Sequence, residues 1–298
     1  MSKREFARNG EVSIAFQDLG GFGGEPLLLV MGLGVSRFWW PQGFTDHLVH
    51  EGFHVVAYDQ RDAGESTHFD AAKVPTNPFK TLFSKQQAAY SAEQMTDDAV
   101  AVMDAMGWNS THLFGASMGG LLAQRTALRH PERVRSLVSF AAVPSDADGL
   151  RVAKYMKPGV LMKLARMKFP QGREGDLQAG LRLAELLASP GYGFDRDQAL
   201  EWVGKEAELG ISGVRDNAAQ SRQTGAKWSG GRLAELRLPT LVIHGEVDQI
   251  LRPSAGKHTA AAIADAKLLL LPGVGHELPR QLWPMFAEQL GLNARRAG

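Results

Sequence analysis

Short apolar runs punctuate the chain: Leu27-Leu28-Leu29-Val30-Met31, His54-Val55-Val56-Ala57-Tyr58, Thr111-His112-Leu113-Phe114, Ser136-Leu137-Val138-Ser139-Phe140, Thr240-Leu241-Val242-Ile243 and Lys267-Leu268-Leu269-Leu270-Leu271. Each is too short for a helix, and none alternates apolar with polar residues as a half-exposed strand would. They predict strands buried on both faces. Upstream, Phe6 and Val12-Ser13-Ile14-Ala15-Phe16 flank Asn9-Gly10, a dipeptide that favours a tight turn, so the chain is expected to open with an antiparallel hairpin. Between most of the apolar runs the period changes to that of a helix. Met95, Ala99, Val102, Met103 and Met106 fall at helical spacing behind Ser91 and Gln94, which occupy capping-box positions, and Gly107 ends the segment. Strands alternating with helices predict a mainly parallel α/β sheet covered on both faces.

One interval breaks this rhythm. From about Ala142 to Thr240 there is no convincing strand, but there are helix-like segments at Asp176 to Ser189 and Asp195 to Leu209. They carry Met156, Met162, Met167, Leu181, Trp202 and Val203, most of which are expected to dock these helices on the sheet. The expected organisation is a core of residues 1–143 and 233–298 interrupted by an inserted helical cap, residues 144–232.

Composition narrows the function. Lys and Arg number 33 against 32 Asp and Glu, for a formal charge of +1 without a basic block, so nucleic acid is not an expected partner. The absence of cysteine excludes disulfide frameworks, cysteine-based zinc sites and cysteine nucleophiles. The polar start Met1-Ser2-Lys3-Arg4-Glu5-Phe6 lacks a signal-peptide core, and no run approaches the ~18 apolar residues of a membrane span, so a cytoplasmic protein without membrane partners is expected.

The strongest chemical signal is Gly115-Ala116-Ser117-Met118-Gly119, directly after the run Thr111 to Phe114 and directly before a helical stretch from Gly120 to Arg129. A serine on such a strand-to-helix turn is forced into strained backbone geometry. The flanking glycines allow close approach of neighbouring chain, and Oγ projects over the sheet edge as a nucleophile. The Met118 amide points from the start of the helix, where a developing oxyanion is stabilised. Ser117 needs a histidine base, and that base needs a carboxylate to hold its tautomer.

With the motif in this setting, the chain resembles the α/β-hydrolase family over nearly its whole length. The resemblance implies an α/β-hydrolase fold with the order serine, acid, histidine, and no metal or organic cofactor. It places the base at His276, in Gly273-Val274-Gly275-His276 after the last strand, and the acid at Asp248, in Gly245-Glu246-Val247-Asp248 after the penultimate one. Glu246, Asp146 and Asp148 are rival acids. His130 and His258 are expected at the surface, and His244 either lines the cleft or fills it. By the same resemblance, the backbone amides of Leu33 and Met118 form the oxyanion hole, although Met31-Gly32 stands where many relatives have His-Gly. Asp59-Gln60-Arg61-Asp62-Ala63-Gly64-Glu65-Ser66 is similar to the family's loop after the next strand, and Arg61 and Asp62 are expected to tie that loop together.

Other classes fit less well. Gly32-Leu33-Gly34 after a strand, with Asp59 ending the next, imitates a dinucleotide fingerprint, but Arg37 occupies the third glycine position and Phe38-Trp39-Trp40-Pro41 fills the approach to a pyrophosphate. Dehalogenases of this fold use an aspartate nucleophile, which Ser117 replaces. Leu29-Val30-Met31-Gly32-Leu33-Gly34, Trp40-Pro41 and Asp59 to Ser66 are similar to the aclacinomycin methylesterase group and neighbouring macrolide esterases. That implies a serine hydrolase of a small-molecule ester or lactone, including bulky polyketides, with Trp39 and Trp40 as candidate substrate contacts. A general short-chain or lipid carboxylesterase, a carbon–carbon bond hydrolase and a weakly catalytic ligand receptor are the alternatives on the same fold.

Overall fold

The computed structural model describes residues 5–70, 89–147 and 149–298. The apolar runs form one eight-stranded sheet in the order β1-β2-β4-β3-β5-β6-β7-β8. Strands β1 (Glu5–Asn9) and β2 (Val12–Gly20) make the expected hairpin, with Asn9 opposite Val12 and Gly10 at a φ of 60°. Strand β2 also pairs antiparallel with β4 (Phe53–Tyr58). The remaining pairings, through β3 (Glu25–Val30), β5 (Thr111–Ala116), β6 (Val134–Phe140), β7 (Thr240–Gly245) and β8 (Lys267–Leu271), are parallel.

The period-two geometry of the strands divides the core. Leu28, Val30, Val56, Tyr58, Leu113 and Leu137 face helices α2 (Ala92–Ala105) and α3 (Met118–Arg129), which contribute Met95, Val102 and Leu122 among others. Their sequence neighbours Leu27, Leu29, Val55, Ala57, Phe114 and Val138 face α1 (Gln42–His50) and a carboxy-terminal helix, Trp283–Ala294, through Phe44, Leu48, Phe286 and Leu290. Every residue of β4 and β7 is buried, which explains the uninterrupted apolar runs. Ser91 caps α2 in the anticipated capping box.

Between β6 and β7 lie α4 (Gly149–Tyr155), α5 (Pro158–Arg166), α6 (Arg173–Leu187), α7 (Arg196–Glu208) and α8 (Asn217–Gly225). Helices α6 and α7 touch closely because Gly180 leaves room for Val203, whose Cβ lies 3.2 Å from where a side chain would begin. Trp202, Val203 and Ala184 then pack against Val35 and Trp39 of the loop after β3. Met162 departs from the expected docking role and is 51% exposed. After β7 come α9 (Ser254–Ala262), β8 and the carboxy-terminal helix, α10. No helix among the described residues is long and apolar enough to cross a membrane.

Candidate active site

The carboxyl ends of β3, β5, β7 and β8 lead into four loops at one edge of the sheet, the place where open α/β sheets collect their functional groups. Ser117 stands between β5 and α3 with φ 56° and ψ −122°, a conformation that β-carbon sterics penalise. Its amide donates to the Phe140 carbonyl at 2.9 Å, which anchors the turn to β6. The glycines of the motif are required by contact. A Cβ on Gly119 would overlap the Val30 carbonyl, and one on Gly115 would overlap the backbone of Gly119. A Cβ on Gly32 would sit 3.3 Å from that of Ser117.

The three residues expected to act together meet. His276 Nε2 lies 2.9 Å from Ser117 Oγ, and His276 Nδ1 lies 2.7 Å from Asp248 Oδ2. Asp248 is fully buried, and its other oxygen accepts the Ile250 and Leu251 amides at 2.7 and 2.9 Å. Burial alone raises this carboxyl, but the adjoining His276 charge, the close imidazoles and the Leu251 amide outweigh it and hold Asp248 well below the usual carboxylate range. It is therefore an acceptor throughout the neutral range and can orient a protonated or neutral His276.

The described rival acids face solvent or hold another partner. Glu246 is exposed, the Leu233 amide donates to Asp146 at 3.4 Å, and Asp148 lies outside the described residues. His130 reaches Asp97 at 2.9 Å, and His258 makes an exposed contact with Tyr155. His244 fills the interior: its Nε2 is 3.3 Å from Asp248 Oδ2, but not aligned to hydrogen-bond it.

Leu33 and Met118 line the same cavity as Ser117 and His276, a space of about 860 Å³. Trp39 and Trp40 also line it, and both are core as well: Trp40 packs 5.2 Å from the Phe114 ring and Trp39 5.8 Å from the Trp202 ring, centroid to centroid. The Arg37 amide donates to Asp59 Oδ1 at 2.6 Å, and its guanidinium pairs with Asp59 and Glu65, so the acid of the false fingerprint is consumed.

Asp62 ties the loop locally, accepting the Phe69 amide at 2.9 Å and donating its own amide to the Thr67 carbonyl, but the charged partners of Arg61 and Asp62 come from outside the loop. Arg61 pairs with Asp98 of α2 at 2.6 Å, and Asp62, at φ 63°, receives both Arg222 Nε and Nη2 from α8 at 2.8 and 2.7 Å. Each Asp62 oxygen takes one guanidinium nitrogen, the two-pronged geometry that makes arginine–carboxylate bonds strong.

Sequence reasoning missed a bond within the core, from the Gln60 side chain to the Met31 carbonyl, which fixes the loop that carries Leu33. It also missed the residues that join the inserted helices to the site. Lys157, between α4 and α5, donates through Nζ to the Asp248 carbonyl and through its amide to that of Ile250. Past the end of α6, the Ser189 amide donates to Glu277 at 2.7 Å and Ser189 Oγ accepts the Gly275 amide at 2.8 Å, while the His276 amide donates to the Leu187 carbonyl. Gly275 is glycine because a Cβ there would press on the Leu187 and Ala188 carbonyls at 2.9 Å. From α7, buried Glu206 accepts the Ser36 amide at 2.8 Å. None of these pairs has a local signal, since each joins residues at least 86 positions apart, Gln60 with Met31 excepted.

Residues 25–279 match the family model described as alpha/beta hydrolase fold. The chain is similar to rhodomycin D methylesterase DauP of Streptomyces sp. (strain C5), 27% identical with 96% of each chain covered. It is also similar to rhodomycin D methylesterase DnrP of Streptomyces peucetius, 27% identical with 97% of each covered. Among solved structures, a meta-cleavage product hydrolase (CumD) from Pseudomonas fluorescens IP01 superposes with a TM-score of 0.70 at 21% identity, over 99% of this chain and 98% of that one. The enol-lactonase from Burkholderia xenovorans LB400 does so with a TM-score of 0.68 at 19% identity, over 98% of this chain and 100% of that one.

Proposed function

Since this chain belongs to the alpha/beta hydrolase fold family, we propose that it is a serine hydrolase that cleaves a carboxylic ester or lactone through an acyl-enzyme, with Ser117, His276 and Asp248 as its triad. The observation that carries this reading is the continuous contact from Ser117 Oγ in the cavity wall through both ring nitrogens of His276 to Asp248, buried behind that wall.

Ser117 Oγ attacks the carbonyl carbon as its proton passes to His276 Nε2, and Asp248 stabilises the imidazolium through Nδ1. The carbonyl oxygen, now an oxyanion, takes hydrogen bonds from the Leu33 and Met118 amides, with the field of α3 behind the second. When the tetrahedral species collapses, the carbon–oxygen bond to the alcohol breaks and the alkoxide leaves with the proton from His276. Water then attacks the acyl-serine, gives its proton to His276, and Ser117 leaves with that proton as the acid is released. The chain's own groups supply every proton transfer.

The helices between β6 and β7 act as a cap domain over this wall. A cavity of about 860 Å³ lies near the upper end of small-molecule sites and suits a bulky polyketide ester or lactone. The methylesterases similar to this chain point the same way.

Intact mass after treatment with a fluorophosphonate, on wild type and Ser117→Ala side by side, tests the nucleophile without a known substrate. One adduct on wild type and none on the variant is expected. No adduct on folded wild type overturns the reading in favour of a ligand receptor. With the adduct in hand, cleavage of short esters but not of anthracycline methyl esters or macrolides would replace the polyketide substrate by that of a general carboxylesterase.

A further inference from the structure

The long wall of the cavity is one face of α3. Met118, Leu121, Leu122 and Arg125 all line it, at spacings of three, four and seven residues from Met118, so they form a single stripe running away from Ser117. Arg125 stands eight positions after Ser117, or about 12 Å along the helix axis. The stripe is apolar for its first two turns and ends in a guanidinium.

That guanidinium is partnered unlike the other arginines built into the interior. Arg37 is paired with Asp59 and Glu65, Arg61 with Asp98, and Arg222 with Asp62. Arg125 has no ion pair with any described carboxylate. Its Nε and Nη2 share one neutral acceptor, the Ser145 carbonyl, at 3.4 and 3.3 Å, and its Cζ lies 5.5 Å from the Trp228 ring centroid. Glu93, the acid whose charge it feels, is engaged by the Ser229 amide and hydroxyl at 2.7 and 2.9 Å. Asp146 lines the same cavity, with its Oδ2 turned to the Leu233 amide. Exposed Lys227 adds a second cation to the cavity wall. A cation held partly out of water over an aromatic face and against long, weak bonds has unused capacity for a strong acceptor.

We propose that Arg125 is a specificity residue that binds an anionic oxygen group of the substrate, so the preferred ester or lactone carries a carboxylate separated from its scissile carbonyl by an apolar span that follows α3. This rests on the serine-hydrolase reading of Ser117. The acyl or alcohol portion lies along Leu121 and Leu122, and the carboxylate takes hydrogen bonds from Arg125 in place of water.

The test compares the mono-p-nitrophenyl ester of sebacic acid, which keeps a free terminal carboxylate, with its terminal carboxamide, a neutral ester of the same shape. The readout is the ratio of kcat/KM for the two within each protein, so a general loss of activity cancels. Wild type should favour the carboxylate by about 10- to 100-fold, the range of a hydrogen bond to a charged group. Arg125→Gln and Arg125→Met, two neutral variants in case one folds poorly, should bring the ratio near one, and Arg125→Lys should retain part of it. A wild-type ratio near one, or one that survives in either neutral variant, overturns the proposal.

p-Nitrophenyl acetate, which cannot reach Arg125, separates the two readings. If wild type cleaves neither it nor the longer esters, the hydrolase reading fails. Calorimetric binding of sebacate against sebacamide to Ser117→Ala, with and without Arg125→Gln, then decides on Arg125 alone: selective binding lost with Arg125 upholds the anion site, and its absence ends it.

Discussion

The floor and the roof of the cavity are built by different means. On the floor, position follows from the backbone: Ser117 in a left-handed conformation, glycines at 115 and 119 where a Cβ would collide with main chain, and an Asp248 carboxylate held by two successive amides. The roof is held by long side chains reaching back to the sheet, from Lys157 to the Asp248 carbonyl, Glu206 to Ser36, Arg222 to Asp62 and Gln223 to the Arg61 carbonyl. A floor of this kind fixes reacting atoms to within a fraction of an ångström, because it can hardly move without breaking the sheet. A roof of this kind can exchange its inner residues while keeping its tethers. Chemistry is therefore tied to the floor, and selectivity to the space between floor and roof.

Asp248→Asn tests the floor most severely. The amide keeps the shape but presents a donor to one of its partners and stabilises the wrong tautomer of His276, so kcat should fall by about 10⁴-fold, as in triads generally. Binding of an uncleaved substrate analogue to the variant should change little, because Asp248 touches no part of the cavity. The native carboxyl is depressed, so its contribution to stability is present above the ordinary range of an unfolded aspartate, about pH 4, and is lost as the pH falls through the native value. Thermal melts of wild type and variant should accordingly converge in acid and diverge toward neutrality. Equal losses in kcat and in analogue affinity would mean that the variant disturbs the cavity as a whole, and the distinction between floor and roof would collapse.

Arg222→Gln strikes the principal roof tether. Both side chains of the Arg222–Asp62 pair are almost wholly buried, and Asp62 also accepts Tyr90 Oη at 2.7 Å and the Phe69 amide at 2.9 Å. Removing the cation leaves a buried charge without its main partner, a loss of about 3–5 kcal/mol by chemical denaturation. If the roof governs selectivity, the surviving folded protein should lose discrimination between bulky and short esters, with its reaction at Ser117 toward a fluorophosphonate retained. Loss of that labelling at full folding would show that the tether also sets the floor.

These two kinds of construction explain what could be read from the sequence. The parallel sheet was legible because its strands are buried on both faces, and the turn at Ser117 because only glycine tolerates the contacts at 115 and 119. His276 and Asp248 were singled out by the resemblance to the α/β-hydrolase family, through the loops after the last two strands, rather than by a signal of their own. The roof tethers were not legible: Glu206 and Ser36 stand 170 residues apart, and Asp62 and Arg222 160 apart, without a local pattern at either end. Arg61 and Asp62, adjacent in sequence, invited a local pairing, but the turn sends one to α2 and the other to α8. Trp39 and Trp40 were legible only as aromatic bulk, which served core and cavity alike.

The mildest test concerns a roof contact in which charge opposes stability. Glu206 is buried, has no ion pair with any described cation, and uses Oε1 to accept the Ser36 amide. Burial first, and then the nearby Asp59 charge, raise its carboxyl above the usual value against the opposing bonds from the Ser36 loop. The sign is opposite to that of Asp248: the native state binds this proton more tightly than the unfolded chain does. The associated stability is fully present below the unfolded glutamate value, about pH 4.3, and is lost as the pH rises through the native value. At neutral pH an ionised Glu206 is thus a cost, and Glu206→Gln, whose amide oxygen can still accept from Ser36, should raise Tm by roughly 2 °C, the scale of about 1 kcal/mol in a chain of this size. The gain should shrink as the pH falls and wild type takes up its proton. A lower Tm for Gln at neutral pH would mean that the roof is anchored by the charge itself, and the contact would then belong with Arg222–Asp62 as an electrostatic tether.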